Sequence, residues 1–380
     1  MRTIIILLIA LGMLVSACQP QPVNPALTPP PDTPNSPAAL SPTPPVTPTS
    51  IPTYTPTVTP IPDTPTPTPL LRTTLLFTGV IVPARCVQAA IDARDNPDYP
   101  YEEVQEVISQ ADLAVGTLNA TISDYPPRTG CVSTYVLVGG AENADALQRA
   151  GFDAMSVATN HIKNCGLTNC GDRAFFDTLE NLRRVGIIPI GAGKNHTQAM
   201  QPVVIEQNGV RFGIVSLGQI ERKSFAGEKT PGIAVLDEAN LRAAIAAARR
   251  VSDVVIAMPH WGPEDVPMPN PSQRELAKVA VEAGADLVVG NHTHVVQAVQ
   301  EIDGVPVFYG LGNFVFDQDV DREHMQGVIL LVTFEGERLV GYELIPTHVD
   351  PDGRVHLADA EEAAEILTRI DKVSQSLPQD

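Results

Sequence analysis

From Thr73 onward, short apolar, β-branched runs alternate with longer amphipathic runs, and this alternation leaves few folds open. TTLLFTGVIV, ADLAVGTL, FDAMSVATNH and IIPIGAG read as strands, separated by the helical patterns YEEVQEVISQ, AENADALQRAG and RAFFDTLENLRRVG. PVVIEQNGVRFGIVSLG reads as a hairpin turning at Asn208-Gly209. Helix EANLRAAIAAARRV leads to strand SDVVIAMPHW, and helix PSQRELAKVAVEAG leads to strand ADLVVGNHTH. Three β segments follow, VPVFYGLGNF, GVILLVTFEG and RLVGYELIPTHV, with turns at Asp303-Gly304 and Glu335-Gly336. Repeated βα units ending in a meander predict an α/β sandwich of mixed β-sheets flanked by helices. One domain over 72–350 is expected, with a C-terminal extension, 351–380, carrying a helix over 359–373.

The N-terminus has a different character. Arg2 precedes the apolar run IIILLIALGMLV, and small residues lead to Cys18. A basic start, an apolar run of ~15 residues and small residues before a cleavage point form a secretory signal, shorter than the ~20 residues of a spanning helix. Val15-Ser16-Ala17-Cys18 resembles a lipobox, in which the cysteine becomes lipidated; an uncleaved anchor is the alternative. Either way the remainder is expected outside the cytoplasm, and lipidation would tie it to a bacterial cell membrane. Residues 19–71 are dominated by Pro, Thr and Ser, which build an extended tether and no packed core. Some fifty such residues reach on the order of 40 Å.

With Cys18 reserved for lipid, four cysteines remain, an even number suited to an oxidising compartment. Cys165 and Cys170 bracket GLTN and are expected to pair, leaving Cys86 with Cys131; a zinc site is the alternative. The net charge of −19 argues against a nucleic-acid surface. GAGKN, 191–195, lacks the spacing of a phosphate loop.

In open α/β folds, ligands bind beyond the carboxyl ends of strands. Those ends read Ala158-Thr159-Asn160-His161, Pro259-His260-Trp261-Gly262 and Gly290-Asn291-His292-Thr293-His294. Each histidine alone could be a packing residue. Four at the ends of three strands favour a shared site, and neutral imidazole is a common ligand of transition metals. On an extended chain His292 and His294 would project from one face.

FDAMSVATNH, the stretch from VVIAMPHWGPE to ADLVVGNHTHVVQ, and VPVFYGLGNFVFD resemble the CapA capsule-synthesis family across about 74–345. That resemblance implies a calcineurin-like metallophosphatase fold and a link to poly-γ-glutamate capsules. It implies metal ligands at Asn160, His260, His292 and His294, with Asn119 at a further ligand position. It implies catalytic roles for His161 and Glu264, and a substrate pocket including Asn313 and Trp261. A solvated carboxylate and a turn asparagine are the alternatives at Glu264 and Asn313.

Two positions depart from the family. Its first strand ends Gly-Asp and its second Asn-Leu-Glu, whereas this chain has Gly79-Val80 and Thr117-Leu118-Asn119. Adjacent dications need anionic ligands to offset their repulsion. At most one divalent ion (Mn, Zn or Fe) is therefore expected, or none, unless Asp124 or Asp317 substitutes. Two functions remain open. One is a metal-dependent hydrolase or transferase acting on an anionic envelope polymer or peptide-like substrate. The other is a catalytically decayed polymer-binding or assembly component of a capsule-synthesis membrane complex.

Overall fold

The computed structural model describes residues 71–165 and 170–378. The signal segment, Cys18 and the tether up to residue 70 lie outside the described residues. The two main sheets use β1 (Arg72–Ile81), β2 (Leu113–Leu118), β3 (Ala154–Ser156), β4 (Ile188–Ile190), β5 (Val203–Gln207), β6 (Val210–Gly218) and β7 (Val254–His260). They continue with β8 (Leu287–Val289), β9 (Val299–Ile302), β10 (Val305–Phe308), β11 (Asn313–Val315), β12 (Gln326–Glu335), β13 (Arg338–Val349) and β14 (Val355–Leu357). The first sheet runs β14-β13-β12-β1-β2-β3-β4, with β11 added in parallel to β1. The second runs β9-β10-β8-β7-β6-β5. In each sheet the central strands are parallel: β1 to β4 in the first, and β6, β7, β8 and β10 in the second.

The period of two along each strand builds the layers. Leu75, Phe77 and Val115 share one apolar cluster with Ile214, Ile256 and Val289, which seals the two sheets together. Their neighbours Leu76 and Ala114 join the cluster that contains Val87 and Ile91 of α1 (Arg85–Arg94), Leu147 of α2 (Glu142–Ala150) and Phe175 of α3 (Arg173–Arg184). On the other side, Val255, Ala257 and Val288 meet Ile245 of α4 (Glu238–Arg249) and Ala277 of α5 (Pro271–Glu282). The result is the mixed α/β sandwich flanked by helices that the sequence pattern implies. Each fully buried Leu, Ile or Phe contributes about 1.5–3 kcal/mol to holding it.

Local chemistry sets the boundaries. Asn208 and Gly209 both have positive φ, 51° and 83°, as the tight β5–β6 hairpin requires. Asn270 caps α5 in a reciprocal box with Gln273, and Pro271 opens the helix. The C-terminal helix is α6 (Ala360–Gln375), whose N-cap Asp359 accepts from the backbone of Glu361 and Glu362. The expected helix YEEVQEVISQ is reduced to a 3₁₀ turn at Tyr99–Tyr101 and a short helix at Gln105–Ser109. Tyr101 is wholly buried there and fixes the turn in the core. The helix before it, α1, escaped the pattern although Val87, Ala90 and Ile91 form a buried stripe.

The second sheet leaves its core at Gly290, whose N–H donates to the Phe308 carbonyl at 2.7 Å. A Cβ at this residue would lie 2.2 Å from the Tyr309 carbonyl oxygen and 2.4 Å from Trp261 Nε1. Gly290→Ala should destabilise the protein by about 1–3 kcal/mol through overpacking. Urea denaturation measures this, and an unchanged midpoint would refute the close packing described.

Candidate metal centre at the strand ends

The carboxyl ends of β2, β3, β7 and β8 deliver Asn119, Asn160, His161, His260, His292 and His294 to one place. The β7 and β8 exits stay zipped together beyond the sheet. Asn291 N donates to Pro259 O and Trp261 N donates to Asn291 O, each at 3.0 Å. Asp265 N reaches Thr293 O at 3.0 Å and ties the loop carrying Glu264 to the same turn. His292 and His294 do not lie on an extended chain: β8 ends at Val289, and their φ values are 106° and 60°. Non-glycine residues in that region cost of order 1–3 kcal/mol each. The turn thus aims both rings inward, with ring centroids 5.9 Å apart, and His292 lies 4.7 Å from the His260 ring.

Hydrogen bonds fix two tautomers. Asn313 Nδ2 donates to the His324 carbonyl at 2.9 Å, so its Oδ1 is the acceptor facing His294 Nδ1 at 2.8 Å. His294 therefore carries its proton on Nδ1 and keeps a lone pair on Nε2. Asn164 Oδ1 accepts from Leu137 N at 2.7 Å and meets His161 Nδ1 at 3.0 Å, which gives His161 the same tautomer. His260 Nε2 and Asn160 Oδ1 lie 3.0 Å apart.

Burial keeps the cluster neutral. It pushes His260 well below the ordinary imidazole value, His292 to about 3 and His294 to about 4, with neighbouring imidazoles adding to the first two. His161 is also lowered, chiefly by burial, against its hydrogen bond to Asn164. Glu264 is raised by burial and then by Asp265. Its Oε1 stands 3.7 Å from His292 Nε2, with the carboxylate side chain 43% exposed and the imidazole 3%.

These residues fit a cation. Ligand atoms of Glu264, His292 and His294 all lie within 4.8 Å of one another. His260 Nδ1, His292 Nδ1 and Asn291 Oδ1 are buried with no hydrogen-bond partner, an expensive state unless an ion or water completes it; Asn119 Nδ2, also unpartnered, is a donor that a cation cannot complete. Neutral imidazoles with free lone pairs and a single carboxylate suit one borderline divalent ion.

Several sequence expectations change. Trp261 is not a pocket residue: it is fully buried, stacks on Tyr309 at 5.8 Å and donates from Nε1 to the Tyr309 carbonyl at 2.9 Å. Asn313 is also enclosed, with both amide ends committed, so it positions His294 rather than facing a substrate. Asn119 accepts from His161 N at 3.2 Å. Val80 is fully buried in the apolar cluster on the helix side of its sheet. Neither acidic substitute serves. Asp317 pairs with Arg85 and accepts from Cys86 N at 2.9 Å, while Asp124 is largely exposed beside Arg128. The structure bonds Cys86 to Cys131 and Cys165 to Cys170.

Sequence reasoning missed Asn164, Thr117 and His324. Thr117 Oγ1 accepts from Asn291 Nδ2 at 2.8 Å, and only tertiary packing brings those two together. His324 is clamped between Asp265 at 2.7 Å and Asp321 at 2.8 Å. Burial opposes its charge, but the two carboxylate bonds outweigh that and raise it. It sits in a 3₁₀ turn with no strand-end signature to mark it.

The model of the bacterial capsule synthesis protein PGA_cap matches residues 74–318. The chain belongs to that family. It is 28% identical over 248 residues to the PGA biosynthesis protein CapA of Bacillus subtilis (strain 168), covering 65% of this chain and 64% of that protein. It is 29% identical over 260 residues to the capsule biosynthesis protein CapA of Bacillus anthracis, covering 66% and 61%. The chain thus spans a little under two thirds of the length of these relatives. Among solved structures, a phosphatase of Mycoplasma pneumoniae is 14% identical and covers 73% of this chain and 94% of that one, with a TM-score of 0.46.

In chelator-treated protein, folded His292 titrates near 3 and the unfolded residue near 6.5. Between those values only the unfolded chain takes the proton, so stability is full above about pH 6.5 and is lost as pH falls toward 3. His292→Gln should flatten the pH dependence of stability by up to about 1.4 kcal/mol per pH unit. Urea titrations at pH 7, 6 and 5 read that slope, and identical slopes in both proteins contradict it.

Proposed function

We propose that this chain acts in the synthesis or processing of an anionic, poly-γ-glutamate-like envelope polymer, through a strand-end cleft that holds a single divalent ion. The observation that carries the proposal is the convergence of Glu264, His292 and His294, beside His260 and Asn160, with buried ring nitrogens left unpartnered. Membership of the capsule-synthesis family supports the polymer class, as do relatives named for PGA and capsule biosynthesis.

Glu264, His292 and His294 would hold the ion, with His260 and Asn160 beside it, and Mn, Zn or Fe suits such a donor set. When bound, the ion supplies Lewis acidity toward a carbonyl or phosphoryl oxygen, as hydrolysis or transfer at an amide or ester requires. The chain's own residues do the rest. Asn313 holds His294 in its ligating tautomer. Asn164 holds His161 with a lone pair on Nε2, so this imidazole must take up a proton before it can deliver one. Glu264, partly exposed, places the cluster's one negative charge at the mouth of the cleft.

A second reading is favoured by Val80 and Asn119. With no anion at either position, the cleft would bind polymer without turning it over, as part of a membrane assembly. Metal content of the full-length chain, purified without chelator, separates the two. The catalytic reading expects the parent to hold one ion per chain more than His292→Ala does. Equal metal content in those two, with metal gained in Val80→Asp/Asn119→Glu, would leave the binding role. Loss of two ions on His292→Ala would sink the single-ion site itself.

The proposed location is the outer face of a bacterial membrane, held by lipid on Cys18, and the two disulfides suit an oxidising compartment. Cys18→Ala should move the protein from the membrane pellet to the soluble fraction. Unchanged retention after carbonate washing would count against the lipid anchor.

A further inference from the structure

A second cluster of metal-ligating groups lies in the C-terminal part of the chain, beyond residues 74–318 that the family model matches, and it shares no donor with the strand-end cleft. His348 on β13 and His356 on β14 are directly opposed across the antiparallel pair. Opposed residues project to the same face of a sheet, and here the two imidazole rings lie 5.0 Å apart. Asp350 sits where β13 enters the tight turn to β14, with its N–H donating to the Arg354 carbonyl at 2.9 Å. Its Oδ1 reaches back to within 3.5 Å of His356 Nε2. Ligand atoms of all three side chains lie within 4.8 Å of one another.

The fourth participant comes from the helix. Glu362 lies in the first turn of α6, and its side chain is only 12% exposed. Its Oε1 faces His348 Nδ1 at 3.0 Å and accepts from Gln326 Nε2 at 2.8 Å. A carboxylate can only accept, so His348 carries its proton on Nδ1 and presents a lone pair on Nε2. This is the arrangement by which a neighbouring carboxylate fixes the tautomer and raises the basicity of a metal-bound histidine.

We propose that His348, Asp350 and His356 form a second cation site, oriented by Glu362, that takes a borderline divalent ion of the zinc class and fastens α6 to the edge of the first sheet. Two imidazoles and one carboxylate are a donor set such ions accept, with solvent in the remaining position. Bonds of ~2.0–2.2 Å place ligand atoms about 3.3 Å apart around a tetrahedral ion. His348 and His356 are 19% and 34% exposed, so an ion reaches them from solvent without opening the fold.

The test uses the full-length chain with the cleft disabled by His292→Ala/His294→Ala, stripped of metal and titrated with zinc chloride by calorimetry. One zinc per chain is expected, with a rise in thermal midpoint. Adding His356→Ala should weaken binding at least tenfold and abolish that rise. Glu362→Gln should weaken binding about tenfold through the lost charge behind His348. Circular dichroism without metal checks that each variant is folded; should His356→Ala fail, His356→Gln takes its place. No zinc bound in the cleft-disabled protein, or binding unchanged by the His356 substitution, overturns the proposal. Because the cleft is already removed, that result is independent of whether the strand-end residues hold an ion.

Discussion

Everything in this protein depends on the two sheets being pressed face to face by one apolar layer. The layer is mostly apolar: Leu75, Phe77 and Val115 meet Ile214, Ile256 and Val289, and Phe212 packs edge-on against Phe334 at 5.3 Å, while buried hydroxyls of Ser156 and Ser216 bridge the sheets at 2.7 Å. Since the central strands of both sheets are parallel within their own sheet, each sheet ends in a row of loops at its carboxyl edge. Pressing the sheets together brings those rows side by side. His161 from one and His260 and His292 from the other then share a cleft that neither sheet could build alone.

That cleft is unusual in its charge. Four imidazoles lie close together, and burial strips them of protons rather than pairing them with acids. A cluster of neutral lone pairs is a poor resting state for a protein interior but a good receptor for one cation. At the ends of the first two strands this chain has a buried valine and an asparagine occupied with a backbone N–H. Glu264 brings a negative charge from another direction, from a loop tied to the histidine turn through Asp265 and Thr293.

Much of this is legible in the sequence because it rests on local rules. The continuous apolar run VVIAMPH and the Asn208-Gly209 and Asp303-Gly304 turns all carry into the structure. The strand-end histidines are readable for the same reason, since an apolar run that breaks at Gly-Asn into imidazoles marks a buried strand opening onto a polar site. What escapes are properties of pairs distant in the chain. Thr117 with Asn291, His324 with Asp265 and Trp261 with Tyr309 leave no local trace. Trp261 is the sharpest case: beside a strand-end histidine it looks like a pocket wall, but the alternation of the strand sends it to the helix-side core.

The backbone at His292 carries a consequence of its own. Its φ of 106° is a conformation that glycine adopts freely and a side chain does not. Glycine there would relax the turn and at the same time delete a donor from the cleft. Folding and chemistry therefore pull in opposite directions at a single residue, and this sequence has kept the imidazole against the preference of its own main chain.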